Sequence, residues 1–127
     1  MNDYNNPTAR REALESLRQK EYDYLKQRLR HLQDQSEIDG DDTINRGYRV
    51  RIYGATDWED TSRPGEAVLN WSATGDQSPA TAKAFAKALE RIAAEAESYN
   101  LERARIICNL NEREREIDRA EAEAQEA

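Results

Sequence analysis

The 127-residue chain is sized for one domain, and a composition 37% hydrophobic, 7% aromatic and 35% charged allows a modest core while excluding a thick one. Nineteen basic against 26 acidic residues give a net charge of −7, which weighs against nonspecific attraction to DNA or to anionic membranes. No apolar run approaches the roughly 20 residues that span a bilayer, and the start Asn2-Asp3-Tyr4-Asn5-Asn6 lacks a signal-peptide core, so neither export nor anchoring is expected.

The single Cys108 excludes an intramolecular disulfide and no Cys/His grouping has zinc-ligand spacing. A reducing compartment, the cytoplasm, is the expectation.

Residues 1–7 are read as a flexible N-terminus, 8–112 as one α+β domain and 113–127 as a charged helical tail. A helix-favouring run follows Pro7-Thr8 and extends to about residue 35. Its Leu14, Leu17, Leu25, Leu29 and Leu32 fall on one side of a helical wheel, with Tyr22 and Tyr24 at the margins. The mixed charges on the remaining faces read as solvated surface. Residues 36–47, rich in Asp, Glu and Gly, read as a helix stop and an acidic loop.

Tyr48-Arg49-Val50-Arg51-Ile52-Tyr53 alternates apolar and polar, the mark of a half-buried strand. Residues 57–65 connect it to a second strand over 66–73, in which Ala67, Leu69, Trp71 and Ala73 share a face and Trp71 is expected in the core. The two strands predict an antiparallel hairpin that needs helices or a partner's hairpin for support.

Ser78-Pro79 predicts a helix start, because serine caps free N–H groups and proline at the first position lacks one. Phe85, Leu89, Ile92, Ala96, Tyr99, Ile106, Leu110, Ile117, Ala120 and Ala124 then form a coiled-coil-like stripe. Arg103 and Arg113 interrupt that stripe, and Asn100 is a candidate bend. A helix continuous to residue 122 would extend about 65 Å, so its second half is expected to pack on another chain. The predicted fold is thus α+β: N-terminal helix, antiparallel hairpin, long C-terminal helix, with dimerisation through helices or hairpins.

No catalytic set is apparent. His31 is the only histidine, no glycine-rich turn places a serine nucleophile or a phosphate, and no cofactor is predicted. Asp39-Gly40-Asp41-Asp42 lacks the spacing of a calcium loop. Trp58, flanked by Asp57, Glu59 and Asp60, either anchors a protein partner or folds back and is buried. Arg49, Arg51 and Tyr53, joined by Asn70 and Ser72, make a face that can grip phosphate and stack on a base.

The stretch Val68-Leu69-Asn70-Trp71-Ser72-Ala73-Thr74-Gly75-Asp76-Gln77-Ser78-Pro79, continuing through Phe85 and Leu89, resembles a strand-turn-helix pattern of small uncharacterised bacterial and phage accessory proteins. The likeness covers residues 66–93 and implies an accessory gene of a phage or mobile element. The function expected is a noncatalytic acidic inhibitor that blocks a host defence or nucleic-acid enzyme through Asp39, Asp41, Asp42, Asp57, Trp58, Glu59 and Asp60. Alternatives are an oligomeric nucleotide-binding protein using Arg49, Arg51 and Tyr53, and a structural coiled-coil oligomerisation protein.

Overall fold

The structure, a computed structural model, describes residues 6–34, 37–41 and 46–126. The elements in chain order are α1 (Pro7–Asp34), β1 (Glu37–Asp41), β2 (Arg46–Gly54), β3 (Ala67–Thr74) and α2 (Pro79–Glu126). The α+β arrangement of N-terminal helix, antiparallel hairpin and long C-terminal helix is the one the periodicities predict. One strand was not foreseen: β1 lies in the segment read as an acidic loop and pairs antiparallel with β2, Ile38 opposite Arg49. Its Glu-Ile-Asp-Gly-Asp sequence has weak strand preference, so the ladder of β2 supplies what local propensity does not.

Both helices start on side-chain caps. Asn6 Oδ1 accepts the N–H of Thr8 at 2.9 Å, and Ser78 Oγ accepts the N–H of Thr81 at 3.1 Å. In each case proline is the first helical residue. Gly75, at φ 71°, turns the chain from β3 into the second cap.

The sheet order is β1-β2-β3. In the β2–β3 ladder Tyr48 stands opposite Ala73, Val50 opposite Trp71, Ile52 opposite Leu69 and Gly54 opposite Ala67. The core gathers Tyr48, Val50 and Ile52 with Leu25, Leu29 and Leu32 of α1 and Ala88, Ile92, Ala96 and Tyr99 of α2. Phe85 and Leu89 pack against its rim. Full burial of a side chain such as Ile92 or Leu25 contributes about 1.5–3 kcal/mol, so this cluster is the main source of stability.

α2 is unbroken for 48 residues, about 72 Å. Its second half packs on α1 of the same chain, and does not require another. Arg28 meets Glu102, Arg18 meets Glu114 and Arg11 meets Glu121, so one helix descends as the other rises. Between these ion pairs a second apolar cluster joins Leu14 and Tyr22 to Leu110 and Ile117. Leu14 and Leu17, on the same α1 stripe as Leu25, Leu29 and Leu32, belong to this helix–helix seam and not to the core beneath the sheet. The segment expected as a charged helical tail continues α2, and Ile117 within it is buried. No helix is long and apolar enough to cross a membrane among the described residues.

Candidate functional site

The link between β2 and β3 is where α1, α2 and the sheet converge. Asp57 is its hub. Asp57 Oδ1 accepts the N–H groups of Glu59 (3.0 Å) and Asp60 (3.2 Å), folding the chain into a tight turn. Asp57 Oδ2 accepts from Arg63 Nε and, at 2.6 Å, from Arg103 Nη2 of α2. The Asp57 side chain is 7% exposed and those of Arg63 and Arg103 are 13% and 11%. The Arg63 bond, reinforced by the two backbone N–H groups, holds the Asp57 carboxyl at about 2, well below the usual carboxylate range.

A second acid locks the far side of the turn to α1. Asp60 Oδ2 accepts from the Tyr22 hydroxyl at 3.1 Å, and Asp60 Oδ1 accepts from the N–H and hydroxyl of Ser62. The Ser62 bonds lower the Asp60 pKa, while burial raises that of Tyr22.

Three residues of one α2 turn close the end of the loop. The buried Tyr99 hydroxyl donates to Gly65 O at 3.1 Å, and burial pushes its pKa up to about 12. Arg103 Nε donates to Pro64 O at 2.8 Å. Asn100 acts as a substitute strand: its Oδ1 accepts from Ala67 N–H at 2.7 Å and its Nδ2 donates to Ala67 O at 3.0 Å. Gly65 lies against Ala55 so closely that a Cβ there would meet Ala55 O at 1.6 Å. Only glycine fits.

On this braced loop Trp58 is 88% exposed. Of the two alternatives the sequence left open, the ring does not fold back. A groove of about 540 Å³ opens between Tyr22, Lys26 and Gln33 of α1 and residues 54–57 and 61–65 of the link. Glu59 is exposed and reaches Arg63 at 3.3 Å.

The sequence-predicted acidic set is thereby divided. Asp57 and Asp60 are consumed in holding the loop, and Glu59 faces solvent beside Trp58. Asp39 and Asp41 lie on β1, the opposite edge of the sheet from β3; their side chains, and Asp42 altogether, lie outside the described residues. Among the described residues no three His, Cys, Asp or Glu side chains converge as metal ligands would. Arg49, Arg51 and Tyr53 do share one face, opposite Ser72, Asn70 and Val68 respectively.

Trp71 is not in the core. It is on the helix-facing side, opposite the fully buried Val50, yet 57% exposed, because the helices cover β3 at Ala67 and Leu69 and leave the strand open beyond them. Alternation reports a side chain's face and not what covers it.

Sequence reasoning missed Arg63, Tyr99, Asn100 and Arg103 as the builders of the loop. The signal was present in two of them: an arginine on an apolar helical stripe needs a buried anion, and a polar Asn100 beside it marks a backbone contact and not a bend. Compared with known proteins, the chain matches no family model, no curated protein and no solved structure.

Proposed function

We propose that this protein is a noncatalytic interaction protein that grips a protein partner through Trp58. The observation that carries this reading is an 88% exposed indole on a loop tied to both helices and to the sheet. Tryptophan is the residue most enriched at binding hot spots, and a braced loop loses little conformational entropy on docking. Two acids of the loop serve architecture: Asp57 and Asp60 are held in its internal bonds, so Glu59, which meets Arg63 only at the exposed surface, is the carboxylate placed to steer a basic partner. The contact is therefore chiefly apolar and stacking, with charge at its rim.

The test is quantitative capture from lysate with wild type, Trp58→Ala and Trp71→Lys side by side. A partner retained by wild type and Trp71→Lys and lost from Trp58→Ala supports the reading; identical captured sets for all three sink it.

A second reading rests on the alignment of Arg49, Arg51 and Tyr53 along β2 on the outer face of the sheet. Two guanidinium groups two residues apart suit a phosphate, and the tyrosine ring suits a base. Calorimetric titration with ATP decides it: binding abolished by Arg49→Glu in a folded protein supports this face, and no heat with wild type removes it.

A further inference from the structure

The two edges of the sheet differ in chemistry. β1 carries Glu37, Asp39 and Asp41 within five residues, the kind of charged edge that discourages a further strand. β3, Ala-Val-Leu-Asn-Trp-Ser-Ala-Thr, carries neither charge nor proline and pairs with β2 in unbroken register, without a bulge.

The free groups on this edge can be assigned. Glu66 O accepts from Ala55 N–H, so even-numbered residues of β3 aim their backbone at β2. Ala67, Leu69, Trp71 and Ala73 aim theirs outward. Asn100 takes both outward groups of Ala67. Leu69, Trp71 and Ala73 keep theirs without a partner among the described residues, beside the exposed side chains of Trp71 and Val68.

We propose that this edge pairs with β3 of a second copy of the chain, antiparallel about a two-fold axis at Trp71. Trp71 then stands opposite its own counterpart and Leu69 opposite Ala73 of the other copy, with two backbone hydrogen bonds in each of the three pairs. This register satisfies all three free residues and ends on each side where Asn100 has closed Ala67. The occupant follows from charge. At −7 per chain two copies repel wherever charged surfaces meet, and β3 is a strip on which they meet without charge. A basic partner would gain nothing on a neutral edge. The pairing leaves Trp58 free, since that loop joins β2 to β3 at the end of the strand beyond Ala67.

Sedimentation equilibrium of the full chain across the micromolar range tests the proposal. Wild type is expected to be a dimer, Trp58→Ala a dimer of the same affinity, and Trp71→Lys a monomer with unchanged far-UV circular dichroism. A second measurement does not depend on how that variant folds. In a Cys108→Ser background, Trp71→Cys places two thiols across the axis with Cα atoms about 5.5 Å apart, within disulfide range. Oxidation with copper phenanthroline is expected to cross-link it rapidly, and Asn70→Cys, on the other face and off the axis, at least tenfold more slowly. A monomeric wild type, a dimer that persists in folded Trp71→Lys, or equal cross-linking at both positions would overturn the proposal.

Discussion

Trp58 and Trp71 are both largely exposed, and they are held in opposite ways. Trp58 rides on a loop whose own backbone is irregular and is fixed by buried side chains: Asp57 with Arg63 and Arg103, Asp60 with Tyr22, Tyr99 with Gly65. Trp71 rides on a strand fixed by its ladder with β2, and that strand carries no charge. A loop position depends on particular side chains arriving from elsewhere in the chain, so it is precise and fragile. A strand position depends on backbone pairing, so it survives most substitutions. The first arrangement suits one shaped partner; the second suits another strand.

This contrast can be broken at the loop without touching the strand. Gly65→Ala is expected to have the largest effect, a loss of about 3 kcal/mol or more, because the new Cβ meets backbone and not a movable side chain. Urea unfolding checks it, and a loss under about 1 kcal/mol would mean that the loop yields easily. Arg103→Met follows at about 3 kcal/mol, since it leaves the buried Asp57 carboxylate with one guanidinium instead of two and frees Pro64 O. In a Trp71→Phe background the same substitution is expected to lower the fluorescence anisotropy of Trp58; in a Trp58→Phe background, that of Trp71 is expected to stay fixed.

Tyr99→Phe keeps the ring and removes only the bond to Gly65 O, for about 1 kcal/mol by the same unfolding measurement. Acid has a related effect. Because folding depresses the Asp57 pKa to about 2, its contribution is present above the ordinary value of 3.8 and is lost as pH falls through 2. Calorimetry from pH 5 to pH 2 is expected to show a steeper fall of Tm for wild type than for Asp57→Asn, and parallel curves would refute the role given to this carboxylate. The smallest change is expected of Trp58→Ala, within about 0.5 kcal/mol of wild type, because the exposed ring supports nothing in its own chain.

The elements themselves were legible in the residues. Pro7 and Ser78-Pro79 marked helix starts, and the alternation of Tyr48, Val50 and Ile52 marked β2 and its buried face. Trp58 was singled out as a tryptophan in a polar loop. What was not legible is what covers what. Trp71 shares its strand and its alternation with Ala67, and only the reach of α2, whose Asn100 covers Ala67, separates the buried residue from the exposed one. Asp57, Glu59 and Asp60 look alike in sequence, and only the approach of Arg103 and Tyr22 makes two of them structural.

The sequence alone determined the start of each helix, the buried stripe of α1 and the face of each hairpin strand, because these follow from periodicity and capping within a few residues. The tertiary structure decided that β1 is a strand, that the second half of α2 lies on its own α1, and that Trp58 stands on a fixed platform. Each of these depends on groups far apart in the chain: a ladder partner in β2, Leu14 against Leu110 and Ile117, and Arg103 reaching back to Asp57. Local pattern fixes how a segment can fold; the energy that settles where a neutral edge or a charged loop ends up comes from partners the segment itself does not contain.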